Sequence, residues 1–209
     1  MTLYSYWRSS AAYRVRIALN LKGLRHDVVP VDLAQGQQAS PVHLARNPMA
    51  SVPVLRLPDG VTLTQSLAIL DYLEQIRPEP PLLPKDGLGA ARVRAAAHVI
   101  ACDIHPLNNL RVGRKLATMG QGQEAIVEWM TEWMRTGLLA YAKLLPGSTR
   151  FSFADTPTFA DLCLIPQLYN AHRWGTDLKG LERLIEIEAL CGELPAFAAA
   201  HPDAQPDAA

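Results

Sequence analysis

The sequence predicts an α/β domain over residues 1–84 followed by an all-α domain over residues 85–209, and three observations predict it. The first part interleaves short alternating apolar runs with runs of helical period. After it the apolar period is helical throughout. Between the two, Arg77-Pro-Glu-Pro-Pro-Leu-Leu-Pro84 is too proline-dense for a helix or an inner strand and reads as a semi-rigid linker.

Each element follows from its pattern. Thr2-Leu-Tyr-Ser-Tyr6 alternates and is rich in aromatics, as a strand with one buried face does. Ala11 to Leu21 places Ala11, Val15, Ala18 and Leu19 on one helical face, with Gly23 beyond its end as the left-handed stop. His26 to Val31 is a second strand, completing a βαβ unit. A looser stretch through Gln35 to Gln38 leads to a short helix at Pro41 to Arg46. Val54 to Leu57 and Val61 to Thr64 flank the hairpin turn Pro58-Asp59-Gly60, and Gln65-Ser66 opens a helix over Leu67 to Ile76. The result is a mixed four-stranded sheet. Beyond the linker, helices are expected over Leu88 to Ala117, kinked at Pro106, and over Gln123 to Leu145, Thr158 to Arg173 and Leu181 to Leu190. Thr158-Phe-Ala-Asp161 has the form of a capping box, and the tail from His201 reads as mobile.

Composition excludes several classes. Hydrophobic residues at 49% and charged residues at 19% describe a globular chain rather than a disordered one. Twenty basic residues balance twenty acidic ones, so no net positive field exists to hold a nucleic acid. Cys102, Cys163 and Cys191 stand far apart, as buried free thiols of a reducing compartment do, and neither they nor the histidines have zinc-ligand spacing. No run approaches the roughly 20 apolar residues of a membrane span, and the N-terminus lacks a secretory pattern. A cytoplasmic location, with no metal, membrane or nucleic-acid partner, is the expectation.

Four constellations carry chemistry. Arg8-Ser9-Ser10 lies between the first strand and the first helix, where one Ser suffices as a cap. The second hydroxyl is then available to an anion at the positive end of the helix dipole, and with no Cys in the turn a thiolate there would belong to a ligand. Ser51-Val52-Pro53 precedes the third strand, where the Val52 backbone can pair with an extended, peptide-like ligand. Gln65-Ser66 adds polar groups at another helix start. Three such loops suggest a site for a small anionic peptide. In the helical part, His105, Asn109 and Arg111 fall near one face, for which a solvated polar face is the better account on spacing alone; His172-Arg173-Trp174 ends another helix, where basic residues suit the dipole in any case.

These residues carry a resemblance to the zeta class of glutathione transferases, the group of maleylacetoacetate and maleylpyruvate isomerases. Tyr6-Trp-Arg-Ser-Ser-Ala-Ala-Tyr-Arg-Val-Arg-Ile-Ala-Leu19 resembles the family signature S-S-C-x-W-R-V-R-I-A-L. Asn47-Pro48, Val52-Pro53, Gln65-Ser-Leu-Ala-Ile69, Asp103-Ile-His-Pro-Leu-Asn-Asn-Leu110 and the tail His201-Pro202 with Gln205-Pro-Asp207 are similar to its other motifs. The resemblance implies a thioredoxin-like domain, a helical domain, a homodimer and an active site between the domains. It implies that Ser9 and Ser10 stabilise the glutathione thiolate and that Gln38 holds the glycine end. Val52 with Pro53 would serve the cysteinyl part, and Gln65 and Ser66 the γ-glutamyl group. His105 and Asn109 would reach glutathione from the helical part. Arg8, Arg111 and Arg173 would receive substrate carboxylates. Ala11 stands where the signature has Cys, which excludes a protein thiol, and Tyr13 replaces the Trp.

The implied reaction is cis–trans isomerisation of maleylacetoacetate to fumarylacetoacetate, in aromatic amino-acid catabolism, with glutathione as a cofactor that is not consumed. Addition of its thiolate interrupts the π bond so that rotation can occur. Three alternatives stand beside it: maleylpyruvate isomerisation in gentisate catabolism, a general transferase or peroxidase acting on xenobiotic electrophiles, and a non-catalytic binding module. Arginines poised for carboxylates favour the isomerases over an enzyme for apolar electrophiles. Charge supports the placement of the site: through Lys85 the chain has 9 basic and 6 acidic residues, and after it 11 and 14.

Overall fold

The structure is a computed structural model and describes residues 1–208. Its chain folds into two compact units. One comprises Met1–Pro81 with the C-terminal segment from Gly192, and the other Leu82–Cys191. The boundary at Pro81 and Leu82 falls within the proline-dense stretch, and the segment from Gly192, assigned by sequence to the helical part, belongs to the first unit.

In the first unit β1 (Thr2–Ser5) lies between β2 (Asp27–Pro30), parallel to it, and β3 (Val54–Arg56), antiparallel; β4 (Thr62–Thr64) pairs antiparallel with β3. The expected mixed sheet is therefore formed, in the order β2-β1-β3-β4. The β3–β4 hairpin closes as its sequence predicts: the Val61 carbonyl accepts from Leu57, Asp59 accepts from the Val61 N–H, and Gly60 takes the φ of 91° that the turn needs. Helix α1 (Ser10–Leu21) follows β1, α2 (Pro41–Leu44) follows β2, and α3 (Ser66–Ile76) follows β4. The Leu24 N–H reaches back to the Leu19 carbonyl across Gly23, whose φ is 63°, ending α1 in the predicted manner.

Helix α1 departs from the amphipathic expectation. Residues Ala12 to Leu19 are all buried, Arg14 and Arg16 included at 1% exposure each, while Ala11 is partly exposed. The reason is cover on more than one side: α3 packs on α1, and so does the short α9 (Pro195–Ala200). Beneath them Lys22 is buried as well. Its Nζ pairs with Glu74 and donates to the carbonyls of Pro78 (3.3 Å) and Pro80 (2.6 Å), tying down the start of the linker.

The second unit is helical: α4 (Gly87–His98), α5 (Leu110–Thr118), α6 (Gln123–Leu144), α7 (Phe159–Trp174) and α8 (Glu182–Gly192), the last reaching the unit's end at Cys191. The single helix expected over Leu88 to Ala117 is interrupted. After α4 the helix widens into a π turn over Val99–Ile104, with the His105 N–H on the Ile100 carbonyl at 2.9 Å. Pro106 has no N–H with which to continue it, and the chain restarts at Asn109, whose Oδ1 accepts from the Arg111 N–H. The π turn sits where Ile104 meets the bare backbone of Gly137 on α6; a Cβ there would lie 2.2 Å from Ile104 Cγ1.

Helix α7 begins with the predicted capping box. Asp161 Oδ2 accepts from the N–H (2.7 Å) and the hydroxyl (2.9 Å) of Thr158, and Oδ1 accepts from the Ser152 N–H at 2.9 Å. Burial pushes the Asp161 carboxyl up, against these three hydrogen bonds, which favour the charged form.

Candidate active site

The sheet register gathers the predicted loops. Tyr4 pairs with Val54, and Val54 with Thr64, so the C-terminal end of β1, the start of β3 and the end of β4 lie at one edge. Ser5 pairs with Pro30 at the end of β2. The turn Tyr6–Ser9, the Val52–Pro53 segment, Gln65–Ser66 and the stretch leading to Gln38 therefore all leave the sheet at the same end.

Ser9 is the N-cap of α1, and its Oγ accepts from the Ala12 N–H at 3.2 Å. With a lone pair so committed, its proton remains available to a ligand at the helix N-terminus, where an anion is favoured. Ser10, the first helical residue, is buried. Ser66, at the start of α3, repeats the arrangement: its buried Oγ accepts from Arg14 Nη1 at 3.2 Å, leaving the O–H as a donor. Gln65 beside it is exposed and held at a φ of 66°, a left-handed value uncommon for a residue with a side chain.

Val52 is aimed by its neighbours. The Ser51 carbonyl accepts from Asn47 Nδ2 at 2.9 Å and lies 2.9 Å from His43 Nε2, which must carry the proton because a carbonyl only accepts. In a trans peptide the N–H points opposite the C=O. The Val52 N–H is thus turned away from these anchors, and no partner for its N–H or C=O occurs among the described residues. The Val52–Pro53 bond is cis, where base rates alone would favour trans.

Gln38 lies in a single 3₁₀ turn, Gln37–Ala39, partly exposed, with its Oε1 buried and without a hydrogen-bond partner among the described residues. Arg8 is exposed, stacked 4.5 Å from the Trp7 ring centre, with Nη2 donating to the Tyr6 hydroxyl at 3.2 Å.

The second unit carries the other four candidates. His105 is partly exposed and follows the π turn. Asn109 is the N-cap of α5, and Arg111 is exposed in its first turn. Arg173 is exposed in the last turn of α7, its Nη2 donating to Asn170 Oδ1 at 3.3 Å and its guanidinium 5.1 Å from the Trp174 ring centre.

Three participants escaped sequence reasoning: Arg14, which orients Ser66, Arg16, and Asp207. Arg16 donates to Ser5 Oγ (3.1 Å) and to the carbonyls of Tyr6 (3.4 Å), Trp7 (3.0 Å) and Ala200 (3.0 Å). Asp207 Oδ2 accepts from the Trp7 N–H at 3.0 Å, so the tail expected to be mobile is anchored. The available signal was two arginines amid apolar residues of one helix, beside a loop rich in backbone groups to satisfy.

A capped helix N-terminus, an aimed backbone and paired donors stand together at one end of a sheet in a β-α-β-α-β-β-α unit, and comparison supplies its class. Residues 1–75 match the glutathione S-transferase N-terminal domain family. The chain is 50% identical over 204 residues to the maleylacetoacetate isomerase of Rhizobium meliloti (strain 1021), covering 96% of this chain and 95% of that one. Among solved structures, the holo form of a bacterial maleylpyruvate isomerase of the zeta class is 44% identical, with a TM-score of 0.97 and complete coverage of both chains. The maleylacetoacetate isomerase of Methylobacterium extorquens AM1, with bound malonate and glutathione, is 43% identical with a TM-score of 0.96, again over the whole of both chains. The chain belongs to the zeta class of glutathione transferases, glutathione-dependent enzymes that include the maleylacetoacetate and maleylpyruvate isomerases.

Proposed function

We propose that the protein isomerises maleylacetoacetate to fumarylacetoacetate with glutathione as cofactor, and that the Ser9 hydroxyl at the N-terminus of α1 is the group that holds the cofactor's sulfur ionised. The observation that carries the reading is the donor geometry of Ser9: its oxygen accepts the helix-cap bond, and its hydroxyl has no acceptor among the described residues. Bound glutathione supplies a thiolate whose reversible addition to the activated cis alkene leaves a single bond able to rotate.

The chain's own groups fit that cofactor. The Ser9 O–H and the α1 dipole favour a thiolate over a thiol, and Ser10 adds its polar group at the same turn. The Val52 N–H and C=O pair with a peptide backbone as an added strand would, with Pro53 fixing the approach. The Ser66 O–H and Gln65 receive the α-carboxylate and amine of the γ-glutamyl end. The Gln38 amide oxygen is unpartnered among the described residues, and its amide N–H₂ serves the terminal carboxylate. His105 and Asn109 contribute further polar contacts.

Arg8, Arg111 and Arg173 bind the substrate's carboxylates through charge-assisted bonds and stabilise negative charge as it develops on the conjugated carbonyl. The malonate bound by the M. extorquens relative supports a dicarboxylate-binding role. Arg173→Ala is expected to raise the KM for the keto acid about tenfold while kcat changes less, read from steady-state rates. Maleylpyruvate isomerisation is the second reading, favoured by the 44% identity to an enzyme of that name. The deciding assay follows loss of each cis substrate with and without glutathione. Isomerisation without glutathione overturns the mechanism, and the ratio of kcat/KM values ranks the substrates.

The protein is further proposed to act as a cytoplasmic homodimer. Three free cysteines suit a reducing compartment, and no helix among the described residues is long and apolar enough to cross a membrane. Val42, Leu44 and Met49, on and after α2, are exposed apolar side chains of the kind a subunit contact covers. Sedimentation measures the mass directly.

A further inference from the structure

The C-terminal tail grips the turn that presents Ser9. The peptide group joining Tyr6 to Trp7 is held at both poles. Its N–H donates to Asp207 Oδ2 at 3.0 Å, and its carbonyl accepts from Arg16 Nη1 at 3.4 Å. The same carbonyl accepts from the Ser9 N–H at 2.9 Å. One peptide plane therefore links the tail carboxylate directly to the backbone of Ser9. Arg16 also holds the next carbonyl, Trp7 (3.0 Å), together with Ala200 at the end of α9 (3.0 Å), so the cation underlies both the turn and the tail.

Asp207 reaches its place through a folded lead. Gln205 Nε2 donates to the carbonyls of Ala199 (3.0 Å) and His201 (2.9 Å), turning the chain back over α9, and the His201 ring stands edge-on to Tyr13 of α1. The other carboxylate oxygen, Oδ1, is buried without a hydrogen-bond partner among the described residues. Leaving a carboxylate oxygen so placed costs folding stability rather than adding to it.

We propose that Asp207 is a positioning residue for Ser9: the tail is a strap that fixes the Tyr6–Trp7 peptide plane and, through it, the angle at which the Ser9 hydroxyl meets a thiolate. The inference rests on the role given to Ser9 above. Without the carboxylate the Trp7 N–H loses its acceptor and the turn can rotate about its remaining bonds. The cap from Ser9 to Ala12 then no longer fixes one direction for the proton.

The test uses the full-length protein and three variants, Asp207→Ala, Asp207→Asn and Ser9→Ala, alone and with Ser9→Ala combined with Asp207→Ala. In the protein without glutathione, Asp207→Ala is expected to speed amide exchange at Trp7 and Ser9 by about tenfold or more while amides of α3 are unchanged. Unchanged exchange at both sites overturns the strap, whatever the activity. In turnover, Asp207→Ala is expected to lower kcat about tenfold and to move the acid limb of the pH–rate profile upward, with a smaller change in KM for glutathione. Asp207→Asn, which keeps an amide oxygen for the Trp7 N–H, restores most of the loss. It also serves if the alanine variant folds poorly.

The double variant shows whether the effect runs through Ser9. In the Ser9→Ala background, adding Asp207→Ala should change kcat by no more than about twofold. An undiminished tenfold loss there overturns the positioning role. Failure of the wild-type protein to isomerise with glutathione would instead sink the functional reading, and the exchange measurement would still decide the strap.

Discussion

The Ser9 oxygen accepts from the Ala12 N–H, and that acceptance decides where its proton can go. A hydroxyl has one proton and two lone pairs, so a cap that uses a lone pair leaves a donor facing outward. Ser66 is prepared in the same way by Arg14, a partner buried on α1, the helix packed against α3. Ser9→Ala should therefore have two separable effects. Loss of the cap should lower stability by about 1 kcal/mol, measured by denaturant unfolding. Loss of the donor should reduce kcat by about a hundredfold and shift the acid limb of the pH profile upward. Ser9→Thr keeps both functions of the oxygen and should restore most of each. At this scale the sequence was informative wherever a residue's role depends on its own turn. It assigned no role to Arg14, Arg16 or Asp207, whose partners lie 52, up to 184 and 200 positions away. Local spacing carries no trace of such distances.

Helix ends show the same division between local and distant causes. The capping box of α7, the Pro-Asp-Gly hairpin and the glycine stop of α1 are set by residues a few positions apart, and each stands where its pattern placed it. The box has a further consequence at Asp161. Both of its oxygens accept a backbone N–H, from Ser152 and from Thr158. Asp161→Asn puts an N–H₂ against one of those donors and should destabilise the protein by about 2 kcal/mol, although burial already disfavours the charge. Unfolding within about 0.5 kcal/mol of wild type would contradict that account. The long helix expected over Leu88 to Ala117 failed for a reason visible only in part. Pro106 marks the break, but the π turn before it follows from packing of Ile104 onto Gly137, which sequence periodicity does not report. The helix α9 was missed because six residues rich in alanine show no period, and their place is set by α1.

For the whole molecule, the prolines are the reason residues 77–84 read as a linker, while the group that holds their start was not legible. Lys22 Nζ, with its side chain fully buried, donates to the carbonyls of Pro78 and Pro80 and pairs with Glu74. Lys22→Met preserves the stem and removes the charge, withdrawing a buried cation from Glu74 and a donor from two carbonyls. A loss of about 3 kcal/mol is expected in thermal unfolding, with faster proteolysis over residues 77–84. Proteolysis and unfolding both unchanged would show that the prolines alone suffice. The division of charge noted in the sequence fits this organisation, since the mildly basic part carries the loops assigned to an anionic peptide.

The π turn at Val99–Ile104 has a consequence for the length of the chain. A turn closed by i→i+5 bonds holds one residue more than an α-helical turn needs, so the helix carries a folded-in insertion just ahead of His105. Removing one residue there would let ordinary i→i+4 bonding resume without a gap. The wider turn spends its extra residue within one revolution, so that removal would leave the direction of His105 unchanged. The backbone and the imidazole would both tolerate the deletion. Sequences of this kind can therefore be aligned across that turn with a gap that costs no helix and re-aims no side chain.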